Sequence, residues 1–278
     1  MGFIFKLGLV PLHSWAIDVY EGAPLSVAIY MATVVKLVYF IILLRILYSV
    51  IGFNFFLQVQ PFLIFISVSG IFLGSILAVS QKKLKRLVMY STLVHTSFIL
   101  LSFSLGTIDG IIYGLLYLFI YILFSFFFWL LLLSLTLNRE NGFVFVYLGD
   151  LFSYVKLNPY LLIVVCLFFF TVSGLPPFIG FWLKFFVLLS AFDISLYVPV
   201  IICIFCNVLS IFVYIRFIKV LTYDSLSTNE VNSKKLKFYS MPYINAFFLS
   251  FLSFFFVFLI FNLNLILLII SKFVFLFF

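Results

Sequence analysis

Four side chains in this sequence could hold and release a proton inside an apolar environment: the lysines Lys6, Lys36 and Lys184, and the imidazole of His95. Lys36 follows Pro24 and the uncharged stretch from Leu25 to Val35, and eight more uncharged residues separate it from Arg45, which places it near mid-membrane depth. An ammonium at the centre of a bilayer helix costs roughly 2.5 to 3.5 kcal/mol on insertion scales, so such a lysine faces a wet or protein-lined interior. A lysine that loses water without gaining a strong partner also holds its proton less tightly, which suits it to proton exchange. Lys6 fits two readings, an intramembrane charge or a side chain that snorkels from a helix end to the interface. Lys184, in the run WLKFF, has Trp182 and Phe185 beside it and no ionic neighbour in sequence, although an anchor below an interfacial tryptophan also fits. His95 has Ser91 one turn earlier and Thr96 adjacent, so hydroxyls and waters could connect it to a lysine. A hydrogen-bonded structural histidine is the other reading.

The elements that must position these groups are helices interrupted at proline. Pro11 removes a backbone donor five residues after Lys6, and the segment Gly174 to Pro177, GLPP, does the same seven residues before Lys184. Paired Gly/Pro-interrupted helices beside intramembrane charges are a signature of transporters built from inverted repeats. The segment DVYEGAP, Asp18 to Pro24, reads as a polar loop.

Composition agrees with a membrane solvent. Hydrophobic residues make up 67% of the 278 residues and charged ones 9%, with a mean hydropathy of +1.38, which excludes an ordinary soluble globule. The expected fold is all-α and polytopic, with about eight spanning segments at about residues 3 to 16, 25 to 50, 61 to 80, 87 to 105, 110 to 137, 159 to 190 (broken at GLPP), 196 to 221 and 242 to 262. The tail after Asn262 reads as an interfacial helix. Organisation is a single transmembrane domain: 1–58 as the end of one repeat, 61–221 as a complete five-helix inverted-repeat unit, and 242–278 as the last helix and tail. The net charge of +8 comes from short loops and not from one soluble face, so nucleic acid is not expected as a partner. Cys203 and Cys206 form a C-x-x-C without a second ligand pair, and with Cys166 they read as small apolar helix residues. The abundance of phenylalanine, 43 residues, points to an AT-rich coding source such as an organelle genome.

Three ordered stretches carry a family resemblance: FKLGLVPLHSWAIDVYEGAP with Lys36 thirty residues after Lys6, then SQKKLKRLVMYSTLVHTSFILL from Ser80 to Leu101, then TVSGLPPFIGFWLKFFVL from Thr171 to Leu188. Together they resemble the chain 2 family of NADH-ubiquinone oxidoreductase, the antiporter-like subunit N of bacterial complex I. The DVYEGAP segment and a lysine at 184, where the related chain 4 would carry glutamate, favour chain 2. The Gly-Tyr expected soon after the histidine is replaced by Ser97 and Phe98. The resemblance implies proton translocation in the membrane arm of a proton-pumping NADH:ubiquinone reductase, with central roles on Lys6, Lys36 and Lys184 and a path role on His95. His13, Asp18 and Glu21 are assigned to packing at the matrix surface, and Lys82, Lys83, Lys85 and Arg86 to a solvated orientation signal. No G-x-G-x-x-G, P-loop or cysteine cluster is visible, so no cofactor is expected in this chain. NADH, FMN, iron-sulfur clusters and ubiquinone would bind partner subunits. Expected surroundings are the mitochondrial inner membrane, or a bacterial plasma membrane, with membrane lipids and neighbouring antiporter-like subunits. A cation/proton antiporter subunit and an inert membrane scaffold are the rival functions.

Met1 lies five residues before Lys6, and at about 1.5 Å per residue a segment of this length reaches less than the roughly 30 Å of hydrocarbon. The resulting expectation is a separately encoded amino-terminal fragment of about six helices as a further partner, the alternatives being an incomplete reading of a longer gene or loss of those helices in the lineage. Alternation of the segments puts the loops at 17 to 24, 81 to 86, 138 to 158 and 222 to 241 on one side. The lysines and arginine collected there mark it as the matrix or cytoplasmic side. A cysteine introduced at Ser227 should therefore react with impermeant thiol reagents from that side of sealed vesicles; labelling from the opposite face alone would reverse the topology.

Overall fold

Inside hydrocarbon no water is at hand for peptide groups, so an apolar chain must satisfy its backbone within each segment, and the helix does so locally. The computed structural model describes residues 1–50, 53–81, 83–137, 159–223 and 243–277, and among these no strand runs. The helices in order are α1 (Gly2–Leu7), α2 (Ser14–Gly22), α3 (Leu25–Ser49), α4 (Phe53–Ser80), α5 (Leu84–Ser104), α6 (Ile108–Leu137), α7 (Pro159–Ser173), α8 (Ile179–Asp193), α9 (Tyr197–Tyr223), α10 (Tyr243–Phe261) and α11 (Leu263–Phe277).

Helix α5 is the axis of the bundle. Nearly every one of its residues is buried, and it packs against α2, α4, α6 and α8. Close approach is what admits it: a Cβ added at Gly74 of α4 would sit 2.8 Å from side-chain atoms of both Leu93 and Val94. Small residues at such contacts let helices approach where lipid supplies no hydrophobic driving force between them. The outer helices show the opposite pattern, with Ile201, Phe205, Val208 and Phe212 of α9 and Phe254, Phe258 and Phe261 of α10 exposed, as an acyl-chain environment requires.

Among the described residues five helices are long and apolar enough to cross a membrane alone: α3, α4, α5, α6 and α9. The remaining expected segments are present as broken or bent helices. α1 and α2 flank a break at residues 8 to 13, α7 and α8 flank the GLPP break, and α10 and α11 form a pair bent by 80°. Two expectations are corrected. The DVYEGAP segment is mostly helix, since α2 runs to Gly22. The third span begins at Phe53, with Pro61 inside the helix and not at its start. The tail after Asn262 is a helix docked on α6, with Val274 buried. The 138–158 loop, the 224–241 portion of the next basic-side loop with Lys234, Lys235 and Lys237, and Lys82 lie outside the described residues.

Both breaks end their first half-helix on a glycine in the left-handed region, Gly8 at φ 67° and Gly174 at φ 81°, a conformation in which a side chain is strained. At the second break the two half-helices also touch, because Gly180 of α8 presses its Cα side against the Thr171 carbonyl of α7, and an added Cβ would overlap that oxygen. Gly22, by contrast, has open space at its Cβ position. Gly180→Ala should destabilise the bundle by about 1 to 3 kcal/mol through overpacking, seen as a lower thermal midpoint of the purified protein, whereas Gly22→Ala should leave the midpoint in place; equal midpoints for both variants would contradict the contact.

Candidate functional site

The break in α7–α8 explains the position of Lys184. Ending α7 at Ser173 leaves carbonyls at the negative end of a half-helix without intrahelical donors. Lys184, almost two turns into α8, turns back on them: its Nζ donates to the Ser173 carbonyl at 3.0 Å and to Ser210 Oγ of α9 at 3.4 Å. The side chain is 5% exposed, which disposes of the interfacial-anchor reading. The Gly174 backbone lies against its aliphatic stem and ammonium.

Lys36 is positioned by a wider helical turn. The five residues Met31–Val35, just before it in α3, form a π-helical turn, which rephases the side chains that follow. The Lys36 ammonium is buried, donates to Tyr121 Oη of α6 at 3.1 Å, and lies 5.8 Å from the Tyr20 ring centroid and 5.7 Å from that of Tyr121. Aromatic faces attract a cation through their quadrupole, so this lysine is held without a carboxylate. Among the described residues neither Lys36 nor Lys184 makes an ion pair.

Lys6 differs from both. Two of the carbonyls at the end of α1 are already taken: Phe5 O accepts from Gly8 N at 3.0 Å and from Trp15 Nε1 at 3.1 Å, and Ile4 O accepts from Leu9 N at 3.0 Å. Lys6 is exposed, with its ammonium 5.6 Å from the Tyr39 ring centroid. It lines a cavity of about 290 Å³ shared with Lys36, His13, Thr92 and Thr96. His13, read from sequence as surface packing, thus faces the lysines, and its Nδ1 is buried without a hydrogen-bond partner.

His95 is buried on α5, and its Nδ1 lies 2.9 Å from Tyr117 Oη. The hydroxyls expected from sequence do not reach it: Ser91 Oγ donates to the Val88 carbonyl and Thr96 Oγ1 to those of Thr92 and Leu93. Tyr117 and Tyr121 of α6 replace them, one bonded to His95 and the other to Lys36, with the Tyr121 and His95 ring centroids 5.9 Å apart. Their signal was in the sequence: Tyr113, Tyr117 and Tyr121 recur every fourth residue and so share one helix face. The structure therefore brings Lys36, Tyr121, Tyr117, His95 and Lys184 into one buried row with Lys6 at the edge of the cavity beside it. Chemically, amines, phenols and an imidazole in sequence can pass a proton with no net change to any of them.

At the end of the bundle nearest Pro24, the basic residues do more than mark orientation. Glu21 of α2 bonds Lys83 at 2.6 Å and also pairs with Arg86 Nε, while Asp18 pairs with Arg86 at 3.5 Å. Lys85 is buried and donates to the carbonyls of Glu21 and Ala23, at 3.1 and 3.2 Å, satisfying the end of α2. This cluster ties α2, which carries Tyr20, to α5, which carries His95.

Broken helices bearing lysines, packed around a histidine-bearing axis, define a polytopic membrane protein of the antiporter-like kind. Residues 1–210 match the family described as NADH:quinone oxidoreductase/Mrp antiporter, TM, and the chain belongs to it. NADH-ubiquinone oxidoreductase chain 2 of Marchantia polymorpha is 34% identical over 229 residues, covering 82% of this chain and 45% of that protein. NADH-quinone oxidoreductase subunit N of Pelagibacter ubique is 34% identical over 225 residues, with coverages of 81% and 47%. The chain thus spans about half the length of the curated relatives it matches. A chain of respiratory complex I from Thermus thermophilus, solved with bound aureothin, shares the fold at a TM-score of 0.76 with 23% identity, over 96% of this chain and 56% of that one.

The Lys83 ammonium, and then the Arg86 guanidinium, hold the Glu21 carboxyl below its ordinary pKa of 4.5. A depressed folded-state value means that this stabilisation is complete above the unfolded value and is lost as pH falls through the folded one. The pair is about a quarter to two-fifths exposed, so its worth is roughly 0.2 to 1 kcal/mol. Glu21→Gln should lower stability by that amount at pH 7, and the gap from wild type should close as the medium is acidified below pH 4.5; a gap that persists in acid would show that the carboxylate charge is not its source.

Proposed function

We propose that this chain is a proton-translocating, antiporter-like membrane-arm subunit of an NADH:ubiquinone oxidoreductase, and that Lys6, Lys36, His95 and Lys184 form its proton path. The observation that carries the reading is the buried row from Lys36 through Tyr121, Tyr117 and His95 to Lys184, in which two ammonium groups are held by phenol, ring faces and a helix-end carbonyl. A carboxylate partner would bind the proton's charge firmly; dipoles and quadrupoles stabilise it enough to enter and weakly enough to leave. A proton arriving at Lys36 shifts the affinity of the next basic group through their mutual repulsion, and this electrostatic coupling is how a distant event drives transfer along the row.

In this reading the electron-transfer chemistry belongs to partner subunits, which bind NADH, FMN, iron-sulfur clusters and ubiquinone, and this chain contributes no redox centre. Its partners are the other subunits of the complex, including neighbouring antiporter-like ones, and its setting is a mitochondrial inner membrane or a bacterial plasma membrane. The family also embraces Mrp antiporters. Copurification with flavin and iron-sulfur subunits separates the two, since a cation/proton antiporter needs neither.

Lys36→Met or Lys184→Met should leave the complex assembled and lower the protons pumped per electron by the share that crosses in this chain, because methionine cannot carry a proton. Arginine at either position should also impair pumping, because guanidinium keeps its proton near pH 7. Unchanged proton-to-electron ratios in both Met variants would overturn the assignment.

A further inference from the structure

Helix α3 ends in a charge that the orientation rule does not explain. Arg45 lies twenty residues after Leu25, about 30 Å along the helix at 1.5 Å per residue, and so at the end of the bundle opposite Glu21, Lys83 and Arg86. A basic bias marks that other end, not this one. The Arg45 side chain is exposed, and among the described residues its guanidinium makes no ion pair and donates no hydrogen bond. Asp109, in the first turn of α6, and Asp193, which ends α8, do not pair with it. Ser49, one turn further on, directs its hydroxyl to the Arg45 carbonyl, so the guanidinium is the donor left over at this position.

Arg45 and Ser49 stand at the rim of a groove of about 400 Å³ between α3, α6 and α11. Clefts of roughly 300 to 1,000 Å³ are the size that holds small ligands. The groove exists because α11 turns by 80° from α10 and lies across the bundle, docked mainly on α6. Its interior is apolar: Ile41 is one turn nearer the middle of α3, Leu44 is buried beneath, and Phe273 and Val274 line it from α11. Leu115 completes it, and since α6 runs back from this end of the bundle, seven residues from Ile108 set Leu115 about 10 Å inward. A cation at the rim and hydrocarbon below it are thus arranged along the helix axes.

We propose that this groove is a phospholipid site, in which the Arg45 guanidinium binds the phosphate and one acyl chain lies against Ile41, Leu115 and Phe273. A guanidinium keeps its charge and presents its donors as a planar fork that fits phosphate oxygens. Membrane phospholipid carries the matching pair of groups in the matching order, a phosphate at the interface and hydrocarbon directly beneath it. A free anion would satisfy Arg45 and leave the apolar interior uncovered, and a protein helix would have to bring a carboxylate of its own to the rim. The bound lipid bridges α11 to α3, so it fastens a tail whose main protein contact is with α6 alone. None of Lys6, Lys36, His95 and Lys184 lines the groove, so the site stands or falls separately from the proton path.

The test is a density map of the intact complex extracted with its native lipid, at a resolution that shows lipids, together with thermal midpoints of delipidated complex. Expected in the wild type is phosphate density within hydrogen-bond distance of the Arg45 guanidinium, continuous with a chain in the groove. Arg45→Gln removes the charge and should lose the phosphate density; Ile41→Trp fills the groove from an exposed position and should lose the chain. Vesicles of phosphatidylglycerol should raise the midpoint of the delipidated wild type severalfold more than that of Arg45→Gln, and inorganic phosphate should leave both in place. An empty wild-type groove, or one filled by a helix of another polypeptide, overturns the proposal. So does phosphate density that persists in Arg45→Gln, or an equal response of both proteins to the vesicles. A response to inorganic phosphate as large as that to vesicles would make this a bare anion site and refute the lipid. If neither variant assembles, the wild-type map decides alone.

Discussion

A carbonyl left without a donor at the end of a half-helix and a lysine left without a carboxylate are each unfavourable in an apolar bundle, and at Lys184 they resolve one another. Much of the architecture follows from that pairing. The helix must break at Gly174, the second half must start close enough for Gly180 to touch Thr171, and α9 must lie near enough to offer Ser210. A continuous helix would have consumed the Ser173 carbonyl internally and left the ammonium with no acceptor in reach.

The other lysines show that one sequence device has more than one structural outcome. At the first break the helix-end carbonyls go to backbone amides and to Trp15, so Lys6 stays on a tyrosine face at the edge of a wide cavity. Lys36 does without a helix end and is held by two aromatic rings and a phenol. The three ammonium groups therefore sit in distinct environments.

Contact between the charged end of the bundle and the buried row runs through neighbours in sequence that face different ways. Tyr20 lies against Lys36, while Glu21, the next residue, is held by Lys83 and Arg86 at the start of α5. The residues matched to the family, 1–210, include the broken helices and Lys6, Lys36, His95 and Lys184.

Sequence by itself determined the membrane class, the all-helical fold, the two breaks and the burial of Lys36 and Lys184, because hydropathy, proline and charge act locally and leave a one-dimensional record. It misplaced the boundaries of α2 and α4, where tertiary contacts extend helices through residues that resemble loops or breakers, and it treated Lys85 as solvated although the carbonyls of α2 bury it. His95 was legible as a buried base, but its partner was not: Tyr117 stands twenty-two residues away, and only the packing of α6 on α5 brings the phenol to the imidazole. The same holds for Tyr121 beside Lys36, since a hydrogen bond across a helix interface depends on the rotation of both helices and a sequence records the face of each without recording which faces meet.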